Sequence, residues 1–188
     1  MDKILTRNHV ITFFYIIAFL VIGRLIPHPP NFTPILAAAI VAPYFIKNNY
    51  LAILIPLIAM FISDAFIGLY SSLFWVYGAI AFSTLLSSLT KNTSRKYRHL
   101  AIMTISSSVI FFIVTNFGSW LFCPCNPTMV DGQLIWDFYP KTFEGLILNY
   151  TLALPFFQNT FLGTIFYTSL FVLSVNLAKN SFLRLSYN

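Results

Sequence analysis

Apolar residues run along this chain in long blocks broken by short polar stretches. A hydrocarbon core of about 30 Å takes around 20 mostly apolar residues as helix, and six blocks qualify as candidate spans: residues 10–26, 32–46, 50–68, 73–89, 100–122 and 159–178. The second is short and carries Pro43 near its end. The apolar stretch from Phe143 to Ala178 is too long for one straight span, and Pro155 falls within it, where the missing N–H breaks or kinks a helix. Residues 144–154 are therefore expected to form a separate short helix, lying in the interface or dipping back into the protein; a single kinked helix is the rival reading. The predicted fold is all-α: one polytopic membrane domain over residues 1–188, with six transmembrane helices and a long outer loop plus short helix between the fifth and sixth.

Composition strengthens this reading. The residues AVILMFWYC make up 58% of the chain and charged residues only 9%, against about 45–50% and about 25% in soluble domains. Sixteen charged side chains, 11 Lys and Arg with 5 Asp and Glu, cannot cover a surface of 188 residues. Mean hydropathy is +0.79. Disorder, a disulfide-rich secreted scaffold and a soluble nucleic-acid binder are excluded, and the net charge of +6 finds its explanation in topology. Lys3, Arg7, Lys47, Lys91, Arg95, Lys96, Arg98, Lys179 and Arg184 fall on one face of the predicted bundle, whereas Lys141 stands on the other among Asp131, Asp137 and Glu144. The positive-inside rule then places both termini of a multi-pass membrane protein on the cytoplasmic side. The basic start and first apolar run resemble a signal peptide, but no small-residue cleavage site follows, so the segment is expected to remain attached.

Ionisable groups within spans are costly and are functional candidates by default. Arg24 and Asp64 qualify, both near the outer ends of their spans. They form a pair, or else Arg24 snorkels to headgroups while Asp64 caps a helix. Arg24 is followed by Pro27-His28-Pro29-Pro30-Asn31-Phe32-Thr33-Pro34, a stiff outer segment able to hold His28, Asn31 and Thr33 over a site or merely to connect two helices. Asn116, Trp120, Trp136, Tyr139 and Asn159 fall at the same boundary, as do Trp75, Tyr70 and Tyr77. They suit either an aromatic belt or a pocket for a small organic ligand. Cys123 and Cys125 form a C-x-C pair on the outer side, too few for a metal site and too close for an unstrained disulfide, so unpaired thiols are expected. Ala37, Ala38, Ala39 and Ala42 on the second helix and Ser106, Ser107 and Ser108 on the fifth offer smooth faces for bundle packing or for another membrane subunit.

The chain carries no P-loop, no H-E-x-x-H, no G-x-S-x-G and no G-x-G-x-x-G. Neither an enzyme activity nor a cofactor is indicated, and there is no row of intramembrane acids for a proton pathway.

The run Arg24-x-x-Pro27-His28-Pro29-Pro30-Asn31-Phe32-Thr33-Pro34, with Ser63-Asp64, Thr115-Asn116-Phe117-Gly118, Tyr139-Pro140-x-Thr142 and Pro155-Phe156-Phe157-x-Asn159-Thr160, resembles a family of small uncharacterised bacterial membrane proteins of the transport class. That family is similar to the substrate-binding S components of energy-coupling-factor transporters. The resemblance implies six helices, a vitamin or metal bound by outer loops and helix ends, and energy from a membrane coupling subunit with cytoplasmic ATPases, although some S-like proteins work alone. The coupling motif of S components lies on the first helix, whereas the best small-residue spacing here, Ala38-x-x-x-Ala42, is on the second. The expected function is capture of a small, vitamin-like nutrient at the outer face by Arg24, His28, Asn31, Asp64, Asn116, Trp120, Trp136, Tyr139 and Asn159. The alternatives are an assembly protein that binds another subunit, and a redox enzyme using Cys123, Cys125 and His28.

Overall fold

The computed structural model describes residues 2–46, 48–92, 94–122, 127–130, 133–136 and 139–185, with side chains placed in 13–46, 48–92, 94–122 and 139–177. The described residues form six α-helices: α1 (Asp2–Leu25), α2 (Ile35–Phe45), α3 (Asn49–Ile67), α4 (Leu73–Thr90), α5 (Lys96–Phe122) and α6 (Phe143–Leu185). By length and composition α3, α4, α5 and residues 143–177 of α6 are able to cross a membrane, while Phe13–Leu25 of α1 and α2 are shorter apolar helices.

The short second block is the centre of the molecule. With 11 residues α2 is only about 16 Å long, yet it packs against all five other helices. Ile35 through Val41 are all buried. A helix that is apolar all round has no solvent face to present, and this one is enclosed. Its alanines let α3, α4 and α5 approach closely, and Ser87 of α4 donates to the Ile40 carbonyl at 2.6 Å. The smooth face of Ala37, Ala38 and Ala39 is thus used inside the bundle.

The short helix expected at residues 144–154 is not separate: α6 runs unbroken through Pro155 for 43 residues. Packing explains the continuity. The Phe112 ring on α5 lies 5.5 Å from Tyr150, before the proline, and 4.8 Å from Phe157, after it. On the N-terminal side, Tyr150 donates to the Ile113 carbonyl at 2.7 Å and Asn149 to the Asn116 carbonyl at 2.9 Å. Both halves of α6 are tied to one stretch of α5, which keeps the helix continuous despite the missing backbone donor. The segment between α5 and α6 also departs from a plain loop. It contains the antiparallel pair β1 (Pro127–Val130) and β2 (Gln133–Trp136), with Pro127 opposite Trp136 and Val130 opposite Gln133.

Polarity is inverted relative to a water-soluble fold. Large apolar side chains point outward, Phe74 being 84% and Phe66 75% exposed, while Ser63, Asp64, Ser83, Thr84, Ser87, Thr104, Ser107 and Ser108 are buried. Most of these inner hydroxyls donate to the carbonyl four residues back, as in Ser83 to Ala79 and Thr104 to Leu100. Such back-bonding satisfies them without a neighbour and suits tight helix contacts.

Candidate functional site

The ends of α1, α3 and α5 and the starts of α2 and α4 meet at one end of the bundle, and an open cavity of about 310 Å³ descends between them toward α6. Its ionised wall residue is Arg24, in the last turn of α1. Behind it stands α3, whose buried positions Ala52, Ile55, Ala59, Met60, Ser63 and Asp64 recur at helical spacing. This stripe faces α1 and carries Asp64 to the guanidinium. Arg24 Nη1 is 2.6 Å from Asp64 Oδ1, donates to Ser63 Oγ at 2.5 Å, and reaches the Met60 carbonyl at 3.4 Å. Tyr77 of α4 donates to Asp64 Oδ2 at 2.8 Å. Asp64 is fully enclosed, so the carboxylate compensates the guanidinium from behind while the cavity meets the cationic side. Tyr70, in the connection between α3 and α4, also lines the cavity. Burial, reinforced by the Asp64 carboxylate, pushes its phenol up to about 12, against a smaller opposing effect of Arg24. It is a neutral hydroxyl at physiological pH.

The proline segment places Asn31. Phe32 N–H donates to the Pro29 carbonyl at 2.9 Å across Pro30 and Asn31, and Asn31 has φ +65°. Proline at the second and asparagine at the third position of a β-turn fit this conformation, because Pro30 fixes its φ and Asn tolerates the left-handed region. Asn31 and Thr33 border the cavity as a result. Close approach to α6 requires Gly163, where a Cβ would come within 3.2 Å of the Phe32 Cα.

Opposite Arg24 stand Thr115, Asn116 and Ser119 of α5 with Thr160 and Thr164 of α6. A side pocket of about 90 Å³ continues from them among Phe112, Phe156 and Phe157.

Residues 3–185 match the model of a family whose description is "Family of unknown function (DUF6580)". The chain belongs to this family. Neither a curated protein nor a solved structure matches it.

Of the residues expected to form a site, the DUF6580 fold brings Arg24, Asn31 and Asn116 to the cavity wall and sets Asp64 directly behind Arg24. His28 sits at the C-terminus of α1 with Nε2 3.0 Å from the Arg24 carbonyl and Nδ1 2.7 Å from the Pro29 carbonyl, a capping position outside the cavity lining. Trp120 donates to the Pro140 carbonyl at 2.9 Å and carries Lys141 Nζ 5.5 Å above its ring, pinning the segment that enters α6. Tyr139 adjoins that contact, and Asn159 is half-buried next to Thr160; neither is among the lining residues. The Trp136 side chain, Cys123 and Cys125 lie outside the described residues. Among the described residues no group of three His, Cys, Asp or Glu side chains gathers to hold a metal.

Ser72, Ser119, Thr160 and Thr164 line the cavity without having been candidates, and Tyr70, expected to serve in either a belt or a pocket, lines it too. Two spacings carry a signal: Thr115 with Ser119, and Thr160 with Thr164, are each four apart and share a helix face.

Proposed function

We propose that this chain is a multi-pass membrane protein that captures a small organic nutrient, vitamin-like in size and polarity, in the cavity at its outer face, as a transporter subunit energised by a partner or working alone. The observation that carries this reading is the cavity itself. A charged guanidinium, seated on a buried carboxylate, faces hydroxyls and amides from several helices in a space of about 310 Å³. Sites for small molecules have this size, with a few fixed polar groups on an apolar scaffold. An outward apolar surface around a polar interior supports residence in lipid. The basic residues Lys91, Arg95, Lys96 and Arg98 lie at the end of the bundle away from the cavity, which supports an outer cavity under the positive-inside rule.

The resemblance to S components supports a coupling subunit with cytoplasmic ATPases as the partner. Because the alanine face of α2 is enclosed, that partner would dock elsewhere on the bundle. Mass spectrometry of the protein purified in mild detergent tests the reading: a small organic molecule is expected to remain bound to the native chain and to be lost from the Arg24→Gln variant. Repeated ligand-free preparations that retain a stable protein partner would instead support an assembly role.

A further inference from the structure

The two walls of the cavity differ in hydrogen-bonding sense. A hydroxyl has one proton, and three hydroxyls of the α5–α6 wall commit theirs to the helices: Thr115 donates to the Phe111 carbonyl at 2.7 Å, Thr160 to the Phe156 carbonyl at 2.9 Å and Thr164 to the Thr160 carbonyl at 2.6 Å. What these oxygens present to the cavity is lone pairs. Asn116 spends one of its two amide N–H groups on the Phe112 carbonyl, 2.8 Å away, which fixes the orientation of its carbonyl oxygen, an acceptor. The α1 wall is the reverse. Arg24 is a donor only, and its contacts with Asp64, Ser63 and Met60 all fall on Nη1, which leaves the fork of Nε and Nη2 to Tyr70 and to whatever enters the cavity. Asp64 does not line the space, so an occupant meets the guanidinium at close range and the carboxylate only through it.

We infer that the cavity takes a small carboxylic acid that carries hydroxyl, amide or ammonium donors at its other end, with the carboxylate on Arg24 and the donors on Thr115, Thr160 and Thr164. This rests on the capture reading and adds the ligand's class and direction. A volume of about 310 Å³ corresponds to roughly ten waters, and so to a molecule of about ten non-hydrogen atoms. The side pocket of about 90 Å³, where Phe112, Phe156 and Phe157 meet Asn31, Asn116 and Thr115, extends the space beside the acceptor wall. A simple anion leaves the acceptor wall unpaired, and a simple amine leaves the Nε and Nη2 edge of Arg24 unpaired. Both are penalised, because a polar group that the occupant shields from water without pairing loses its hydration without replacement.

The test uses the full chain, purified in detergent and stripped of retained ligand, titrated with ε-aminocaproate, caproate and hexylamine, three probes on one six-carbon chain. The doubly functional probe is expected to bind at least about tenfold more tightly than either of the others. Thr160→Val with Thr164→Val preserves shape, removes two of the three acceptors, and is expected to cut most of the advantage over caproate while weakening caproate, which makes no use of those oxygens, much less, a selectivity that general damage would not produce. Arg24→Gln should weaken both acids and spare hexylamine. If Arg24→Gln does not fold, Arg24→Lys keeps the charge on Asp64 but loses the fork, and should weaken both acids in the same order. Equal binding of caproate or hexylamine to the native chain, or binding of none of the three, overturns the assignment. The capture reading is decided separately by the molecule retained through purification.

Discussion

At the scale of single residues, the Arg24–Asp64 pair is expected to act on stability and, under the proposed function, on binding, and the two effects are separable. Removing one member of a buried ion pair leaves an uncompensated charge, at a cost of about 3–5 kcal/mol. Arg24→Gln is expected to lose roughly 3 kcal/mol in detergent unfolding, and the double variant Arg24→Gln with Asp64→Asn to recover most of it, since no orphan charge remains. Ligand retention should not recover with it, because the donor fork is still missing. Full recovery of both in the double variant would show that the pair is only structural. Tyr70 adds a pH signature. Its folded value, about 12, exceeds the unfolded 10.0, so the neutral phenol favours the fold below about pH 10, and that contribution is lost as pH rises from about 10 through about 12. Tyr70→Phe should remove this alkaline component, seen as a flatter dependence of thermal unfolding on pH in that range. The pair was readable in the sequence because two lone charges at matching depth in apolar blocks are conspicuous. The hydroxyls were not, because a Ser or Thr in an apolar helix satisfies itself on its own backbone and gives no sign of which neighbour it faces.

At the scale of elements, six apolar blocks became six helices because block length and helix length follow the same hydrophobic pattern. The errors arose where a local rule met tertiary packing. Pro155 reads as a breaker, but the Phe112 ring and the Tyr150 and Asn149 hydrogen bonds tie both sides of it to α5. The β1–β2 pairing had a direct signal in the sequence, an Asp-Gly dipeptide at 131–132 between two short runs, a pattern from which a hairpin is predicted. Closeness of helices was the least legible feature. Gly118 of α5 lies against the Trp75 indole of α4, and an added Cβ would stand 2.0 Å from its Cγ. Gly118→Ala is therefore expected to cost about 1–3 kcal/mol by overpacking, measured by thermal unfolding in detergent. Combining it with Trp75→Leu, which removes the obstructing ring, should make the added methyl much less costly than it is beside the indole. An equal cost in both backgrounds would mean that the clash with the ring is not the cause.

At the scale of the whole molecule, the distribution of charge and the location of the cavity make one claim about orientation. Lys91 donates to the Pro43 carbonyl at 2.9 Å, and Lys96 lies 5.2 Å above the Tyr44 and Phe45 rings. His99 hydrogen-bonds Tyr44 and, at 2.8 Å, Thr90 at the same end. These contacts close the bundle with cations where Arg24, Asn31 and Tyr70 open it at the other end. A bilayer reads such asymmetry through Lys and Arg near helix ends, not through net charge. In a chain with Cys123 and Cys125 replaced by Ser, a single cysteine at Ser71, between α3 and α4, should react with an impermeant thiol reagent applied to intact cells. A cysteine at Ser94, between α4 and α5, should react only after the membrane is opened. The reverse pattern would put the cavity on the cytoplasmic side, and nutrient capture from outside would then fail even if the cavity binds its ligand. Ser71 and Ser94 serve this test because each lies in a connection between helices, at opposite ends of α4. Any difference in their labelling therefore reports the orientation of the bundle and not the burial of a core position.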